Sequence, residues 1–323
     1  MASKVLFVSQ NKLGRGENIT ALYNSYDGDK VFKHGLVNML DAELKGYDVV
    51  VCDALPQYIA FKDKCKSIVI CHGMTGNKVY GADEDRDVDI EAFKQTDIAT
   101  AASKASIPIV AQQLRIPENR VKAIGFPRTD TYIGKKKGEG FTKLGNKRAY
   151  LFAPTFRDAD KGGWIPWIDW EIVDNLLEED EIVAVKRHYF TDRPLLGANF
   201  KRVIEIEPDK PLTPYLIDCD VLITDYSSCM TDGYLLGKPC ILTVDDMDEY
   251  LPDRPMYYPY PDTYSSRWIV GEGHEEELVK MMREAASNGL TDVEKHYMEL
   301  TASECDGHSI ERTVALIKEM ANG

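Results

Sequence analysis

The chain has 323 residues, and its 53 aspartate or glutamate residues outnumber its 39 lysine or arginine residues, which gives a formal net charge of −14 at pH 7. Apolar residues make up 44% and charged residues 28%, a balance typical of a folded globular protein and not of a disordered one. The acidic total argues against bulk nucleic-acid binding, and no run approaches the roughly 20 apolar residues of a membrane-spanning helix.

The apolar stretch near the N-terminus covers only residues 5–8, which is too short for the hydrophobic region of a signal peptide. The seven cysteines form no Cys-x-x-Cys pair, and their odd number favours reduced, buried thiols over disulfides. Both features predict a cytoplasmic protein.

Charge is distributed unevenly along the chain. Residues 1–134 hold 17 basic and 17 acidic side chains, so the whole net charge of −14 falls on residues 135–323. The change coincides with residues 134–140, a polar stretch that begins and ends with glycine and is typical of a linker. We therefore expect two domains, residues 1–134 and 135–323, and leave open that the last helix packs back on the first domain.

Short β-branched runs alternate with longer amphipathic stretches in the first half of the chain. The runs predict strands at residues 5–9, 48–53, 67–72, 98–102 and 121–125. The stretches between them predict helices at residues 35–45, 56–65 and 107–114.

The same alternation continues in the second half. Strands are predicted at residues 149–155, 182–188, 203–206, 221–225 and 239–244. Helices are predicted at residues 170–177, 213–219, 228–236, 275–286 and 309–320. Because the strands are apolar throughout, they indicate parallel sheets covered on both faces. We therefore predict an α/β fold with two doubly wound, Rossmann-like domains facing a cleft.

Ligands of such sheets bind beyond the carboxyl ends of the strands, so the residues at those ends are candidate site residues. In the first half, His72 ends the strand predicted at residues 67–72 and is followed by Gly73, a pattern suited to proton transfer near neutral pH. Arg128 follows the strand predicted at residues 121–125 and could bind phosphate. The structural alternatives are a loop histidine bonded to backbone and a local Arg–Asp pair.

Three strand ends of the second half carry further hydroxyl and cationic groups. Thr155 and Arg157 follow one strand, where the alternative to ligand binding is again a local ion pair. The next strand ends in Lys186, Arg187 and His188, a cationic run that is unusual in an acidic domain and favours anion binding.

The third strand end has the most specific pattern. It runs through Thr224 and Asp225 into Ser227 and Ser228, where a helix that includes Asp232 begins. A helix N-terminus with adjacent hydroxyls can hold a phosphate, although serines also cap helices that bind nothing.

Together the strand ends imply a ligand with several phosphates. The chain has no G-x-x-x-x-G-K-[ST] and no G-x-G-x-x-G, which disfavours a P-loop enzyme and a dinucleotide binder. No cluster at metal-ligand spacing appears, so we expect no metal and no cofactor.

The motifs at these strand ends, and their order along the chain, resemble those of the CDP-glycerol glycerophosphotransferases of teichoic-acid synthesis, which are two-domain transferases of the GT-B type. The matching segments are His72-Gly73-Met74-Thr75, Gly125-Phe126-Pro127-Arg128-Thr129-Asp130, Ala153-Pro154-Thr155-Phe156-Arg157, Lys186-Arg187-His188, residues 220–228, and a closing Asp306-Gly307-His308-Ser309-Ile310-Glu311-Arg312. The likeness extends from about residue 67 to the end of the chain.

The resemblance implies transfer of a polyol phosphate from CDP-glycerol or CDP-ribitol to a hydroxyl acceptor, with release of CMP. It implies that His72 is the general base, and that His188, Ser227 and Ser228 hold the pyrophosphate. The first domain would then serve the acceptor and the second the donor. The acceptor would be a lipid-linked saccharide or a growing polyol-phosphate chain, which places the enzyme at the inner membrane face, with room for a peripheral membrane contact.

Three alternatives stay open. The first is a GT-B glycosyltransferase that uses a nucleotide sugar, and the second is a nucleotide-sugar epimerase of similar architecture. The third is a phosphate-binding protein without catalytic activity. Two experiments distinguish them. One compares the turnover of CDP-linked polyols with that of UDP-sugars, and the other replaces His72.

Overall fold

The computed structural model describes residues 3–9, 18–34, 46–53, 65–70, 77–79, 93–140, 144, 146–157, 168–188, 196, 200–207 and 209–322. The chain divides into two compact units: unit 1 comprises Met1–Ile133 with Glu299–Gly323, and unit 2 comprises Gly134–Met298. Residues 299–323, which the predicted boundary assigns to the second domain, belong to unit 1, in keeping with the alternative that the last helix packs back on the first domain.

Unit 1 is built on a six-stranded parallel sheet of order β2-β1-β3-β4-β5-β6. Its strands are β1 Lys4–Ser9, β2 Asp29–His34, β3 Val49–Cys52, β4 Lys66–Ile70, β5 Ile98–Ala101 and β6 Val121–Ala123. The central strands are buried almost throughout, because a parallel sheet is covered on both faces.

Unit 2 is built on a second parallel sheet, of order β12-β11-β10-β7-β8-β9. Its strands are β7 Arg148–Phe152, β8 Glu181–Lys186, β9 Val203–Ile206, β10 Val221–Thr224, β11 Cys240–Thr243 and β12 Trp268–Ile269. Strands β10, β7 and β8 are direct neighbours, so their carboxyl ends lie side by side at one edge of the sheet.

Helices connect the strands of both units. In chain order they are α1 Asn18–Ser25, α2 Ile107–Leu114, α3 Trp170–Leu176, α4 Thr213–Asp218, α5 Cys229–Leu235, α6 Met247–Asp253, α7 Glu275–Asn288, α8 Asp292–Ala302 and α9 Ser309–Asn322. Helix α7 shows the amphipathic pattern clearly, since Leu278, Val279 and Met282 recur at helical spacing and are fully buried against the sheet. None of the helices in the described ranges is long and apolar enough to cross a membrane.

The predicted α/β class with parallel sheets is confirmed in each unit, and every predicted strand is present, with ends that differ from the predicted ones by at most three residues. Two strands were missed, β2 and β12. Among the helices, α1, α6 and α8 were missed, and the helices predicted at residues 35–45 and 56–65 lie outside the described residues, apart from Cys65 at the end of the second.

The C-terminal segment packs on the end of β6 and explains one of the sequence motifs. Arg312 donates to the carbonyl oxygen of Ile124 (3.1 Å) and pairs with both carboxylate oxygens of Asp306 (2.7 and 3.0 Å). The N–H of Ile310 donates to Oδ2 of Asp130 at 2.7 Å. The closing Asp-Gly-x-x-x-Glu-Arg motif thus attaches α9 to unit 1.

Gly125 makes this contact sterically feasible. Its φ is +80°, and a Cβ there would collide with the hydroxyl of Ser309 and the carbonyl oxygen of Glu304. Gly134 is a matched control, because its φ is +81° but no described atom lies within 4 Å of its Cβ position. We expect Gly134→Ala to lower the free energy of unfolding by about 1–2 kcal/mol through backbone strain alone.

For Gly125→Ala we expect a further loss of about 1–3 kcal/mol, because the collision adds to the same strain. Urea unfolding of both variants measures the difference. Equal losses would show that the C-terminal segment does not press against Gly125 in solution.

Candidate functional site

The candidate residues of unit 2 gather where β7, β8, β10 and β11 end. Each of these strands is parallel to its neighbours, so the segments 153–157, 187–188, 225–228 and 244–246 follow them at one edge of the sheet. We call this the carboxyl edge of unit 2.

Arg157 lies at the centre of the carboxyl edge, and its side chain is only 11% exposed. Its Nε and Nη2 donate to the two carboxylate oxygens of Asp246 at 2.6 and 2.9 Å. Nη2 also donates to Asp225 at 3.0 Å, and Nη1 donates to the carbonyl oxygen of Thr155 at 2.8 Å. Arg157 is therefore engaged in ion pairs, but with carboxylates 68 and 89 residues away in the chain, so these are not the local pair that is the alternative to phosphate binding at this turn.

We call the ion pairs that Arg157 forms with Asp225 and Asp246 the bridge. Two tyrosines flank the bridge. The rings of Tyr226 and Tyr250 are stacked, with centroids 3.8 Å apart, and the guanidinium of Arg157 lies 5.2 and 4.8 Å from the two centroids. Burial raises the pKa of Tyr226 far above its usual range, so its hydroxyl stays protonated and donates to Asp246 at 3.0 Å. Burial also opposes ionisation of Asp246, but the hydrogen bonds and charge of Arg157 hold the pKa of this carboxyl below its ordinary value.

Thr155, Thr224 and Asp225 connect the same turns through buried hydrogen bonds. The Thr224 hydroxyl donates to the carbonyl oxygen of Ala153 at 2.6 Å, and the backbone N–H of Thr155 donates to Asp225 at 2.8 Å. The hydroxyl of Thr155 is buried and has no hydrogen-bond partner among the described residues. All three residues are buried, and their hydrogen bonds connect the turns of the carboxyl edge.

The end of β8 contributes a different environment. Lys186 is 7% exposed, and burial, together with the charge of Arg187, lowers its pKa to about 8 against the opposing effect of Asp209. Its Nζ donates to the carbonyl oxygen of Arg187 at 3.1 Å, and the guanidinium of Arg187 lies 3.1 Å from Glu205. A weakly solvated ammonium at a strand end is a strong attractor for an anion.

His188 is half-buried and packs on the ring of Phe156, with centroids 4.8 Å apart. The guanidinium of Arg254 lies 5.4 Å from the centroid of the same ring. The segments that follow β7 and β8 therefore meet through Phe156, with an imidazole and a guanidinium beside it.

Ser227 and Ser228 are half-buried at the start of α5. Ser227 Oγ accepts the N–H of Cys229 at 3.3 Å. Ser228 is the N-cap residue, and its side chain makes no capping hydrogen bond. Asp232 follows in the first turn of α5 and is half-buried.

The structure describes only some of the candidate site residues of unit 1. His72 and Gly73 lie outside the described residues, although β4 ends at Ile70, two residues before His72. Arg128 lies in a 3-10 helix, Pro127–Thr131, which is separated from β6 by three residues. Its backbone N–H donates to Asn18 at 3.0 Å, and its guanidinium lies 5.6 Å from the ring centroid of Phe126.

Four residues of the carboxyl edge were missed as site residues by sequence: Tyr226, Asp246, Tyr250 and Arg254. Asp246 could have been noticed because it closely follows the strand predicted at residues 239–244. Nothing local identified its partner, which lies 89 residues earlier in the chain. In the described ranges, no group of three or more histidine, cysteine or carboxylate side chains could hold a metal ion.

Solved structures with a similar fold cover almost the whole chain. A structure of the wall teichoic acid polymerase TagF matches with a TM-score of 0.78 and 17% identity, over 99% of this chain and 89% of that chain. MnaA of S. aureus, solved with UDP, matches with a TM-score of 0.62 and 14% identity, over 99% of this chain and 97% of that chain. At these identities the matches establish the fold, and they agree with the predicted α/β architecture.

Curated relatives at higher identity are enzymes of teichoic acid synthesis. The teichoic acid ribitol-phosphate primase of Bacillus spizizenii is 26% identical over 195 residues, 57% of this chain and 50% of the relative. The glycerol-phosphate primase of Bacillus subtilis is 27% identical over 210 residues, 60% of this chain and 54% of the relative. The ribitol-phosphate polymerase TarL of Staphylococcus aureus is 30% identical over 176 residues, 50% of this chain and 31% of the relative. The chain thus spans about half the length, or less, of these relatives.

The family model for CDP-glycerol:poly(glycerophosphate) glycerophosphotransferases matches residues 4–319. This match includes the N-terminal third, which had carried no recognisable motif, as well as every segment on which the resemblance rested. The resemblance inferred from the motifs is confirmed, and the chain belongs to the CDP-glycerol:poly(glycerophosphate) glycerophosphotransferase family.

Proposed function

We propose that the protein transfers glycerol phosphate, or a related polyol phosphate, from a CDP-linked donor to a hydroxyl acceptor and releases CMP. The observation that carries this proposal is the family match over residues 4–319. The relatives named above act with ribitol phosphate or glycerol phosphate, and one TagF structure was obtained after a soak with CDPG. We therefore include CDP-glycerol and CDP-ribitol as donors, and a teichoic acid or similar surface polymer as the product.

The reaction is an in-line displacement at the β-phosphorus of the donor. An acceptor hydroxyl oxygen forms the new P–O bond, the bond to the bridging oxygen breaks, and CMP leaves with that oxygen. His72 takes the proton of the acceptor hydroxyl, as expected for a histidine at a strand end of the first sheet. The protein's remaining task is to stabilise the charge of the phosphoryl oxygens and the leaving group.

The carboxyl edge of unit 2 is suited to that task. Lys186 supplies a poorly solvated positive charge, His188 supplies an imidazole on the adjacent segment, and Ser227 and Ser228 supply hydroxyl donors. We assign the donor diphosphate to these four residues. Arg187 stands beside them in an ion pair with Glu205, and Arg157 contributes through the turns that it bridges.

The acceptor is assigned to unit 1, where His72 and Arg128 follow their strands. We propose a lipid-linked saccharide or a polyol-phosphate chain as acceptor, which requires that the protein work at the inner face of the cell membrane through a peripheral contact. The family's name supports the glycerol phosphate donor; the acceptor rests on the motif resemblance alone.

Release of CMP by the purified protein tests this proposal. CDP-glycerol, CDP-ribitol and a UDP-sugar are each incubated with and without a polyol-phosphate acceptor. We expect acceptor-dependent release of CMP from one or both CDP-polyols and no release of UDP. Turnover of the UDP-sugar, with no turnover of either CDP-polyol, would instead identify a glycosyltransferase. Specific binding of a CDP-polyol without turnover of any donor would identify a phosphate-binding protein.

A further inference from the structure

Asp246 is not among the residues to which we assign the donor, yet it forms a bidentate pair with Arg157. It lies three residues after β11, and its two carboxylate oxygens accept a bidentate pair of hydrogen bonds from Arg157 at 2.6 and 2.9 Å. Both side chains are close to nine-tenths buried, with exposed fractions of 12% and 11%. Bidentate guanidinium–carboxylate pairs of this kind fix geometry as well as charge.

This pair connects the turns that follow three strands. Arg157 belongs to the turn after β7 and also bonds Asp225 in the turn after β10, while Asp246 belongs to the turn after β11. The Tyr226 hydroxyl adds a second link from the β10 turn to Asp246, at 3.0 Å. Ser227 and Ser228 come directly after Asp225 and Tyr226, so the bridge holds the two residues that precede these serines.

The bridge also has an electrostatic consequence. Asp225 and Asp246 place two carboxylates next to the serines to which we assign a diphosphate, and the guanidinium between them balances one of the two charges. If Asp246 acted through its charge alone, neutralising it would strengthen anion binding at this edge. If Asp246 positions the turn, neutralising it should weaken donor binding, because loss of the bridge loosens the turn.

We propose that Asp246 is a positioning residue of the donor site, which acts through Arg157 to hold the Asp225–Ser228 turn in the shape that binds the diphosphate. The inference rests on the proposed function and specifies the roles within it. Arg157 is then part of the scaffold of the site and not a ligand of the phosphates.

The variants Asp246→Asn and Arg157→Lys, and the double variant, separate the two roles. For each single variant we expect kcat to fall by about 10- to 100-fold and the donor KM to rise, because small displacements of binding groups carry costs of this size. The double variant should lose little more than the worse single variant, since both changes break one bridge. A donor KM that falls in Asp246→Asn would overturn the proposal, because it would mean that Asp246 merely competes with the donor for Arg157.

Arg283→Lys is the matched control. Arg283 forms the same bidentate pair, with Glu181 at 3.0 and 2.7 Å, but at the opposite end of β8 from the carboxyl edge. We expect it to lower the melting temperature, as the bridge variants do, and to leave kcat and the donor KM unchanged. Equal kinetic losses in Arg283→Lys would show that general destabilisation explains the bridge variants.

Hydrogen–deuterium exchange gives a readout that does not depend on turnover. In Asp246→Asn we expect faster exchange at the amides of Thr155 and Cys229, which donate to Asp225 and to Ser227. Exchange at these amides should not change in Arg283→Lys. If wild-type protein turns over no CDP-polyol, the proposed function fails, while this comparison still decides whether Asp246 holds the turn. Unchanged exchange in Asp246→Asn would overturn the inference whatever the activity.

Discussion

Replacing His72 with alanine is expected to abolish acceptor-dependent CMP release almost completely while donor binding is retained. General-base catalysis by a positioned histidine typically contributes about 10²- to 10⁴-fold, and an acceptor hydroxyl is a poor nucleophile until its proton is removed. His72 follows β4, a buried strand near the middle of the first sheet, and the donor diphosphate is assigned to unit 2. The change should therefore lower kcat and leave the dissociation constant of the donor within a few-fold of wild type.

Single-turnover CMP release together with equilibrium binding of CDP-glycerol measures both quantities. His274→Ala serves as the control, since His274 is exposed and its Nδ1 forms a hydrogen bond with the carbonyl oxygen of Glu272 in its own loop. Loss of donor binding with a normal chemical step in His72→Ala would move this residue from the base to the donor site.

The second large effect is expected at Lys186. Its replacement by methionine keeps the length and the apolar stem of the side chain but removes the charge. A charge-assisted hydrogen bond contributes about 1.5–3 kcal/mol, so donor affinity should fall by about 10- to 100-fold. Lys186→Arg should retain most of the affinity, because the guanidinium keeps the charge. Unchanged affinity in Lys186→Met would remove this residue from the diphosphate site.

The pKa of Lys186 also predicts how donor binding depends on pH. Burial lowers its pKa to about 8, so in the unbound protein the ammonium loses its proton as the pH rises through about 8. A bound diphosphate favours the charged form and raises this pKa, so binding takes up a proton above pH 8 and the affinity falls by at most about tenfold per pH unit. Calorimetry at pH 8.5 in two buffers of different ionisation enthalpy measures the uptake. Lys186→Arg should show none, and uptake that persists in this variant would assign the titration to another group.

The fold could be predicted from sequence because its central strands are continuous apolar runs. The strands that were missed lack this pattern. Strand β2, Asp29–His34, is half-exposed along its length and carries two lysines, and β12 has only two residues. Helix α6 was missed because Pro252 lies inside it and its first turn is acidic, which is also typical of a loop.

The site was predicted less completely, for a physical reason. Strand ends and cationic runs are local patterns, so Lys186, His188, Ser227 and Ser228 could be proposed from the sequence. Ion pairs between loops are not local. The motif residues Arg157 and Asp225 contact each other across 68 residues, and no local pattern distinguishes this pair from two separate ligand-binding residues.

The central claim is that the diphosphate of a CDP-polyol binds at the carboxyl edge of unit 2. A crystal structure of the protein with CDP-glycerol, using the slow variant His72→Ala, tests it most directly. We predict phosphate oxygens within hydrogen-bond distance of Lys186, His188 and the hydroxyls of Ser227 and Ser228, with Arg157 still bonded to Asp246. A diphosphate bound elsewhere, or one that draws Arg157 away from Asp246, would contradict this account.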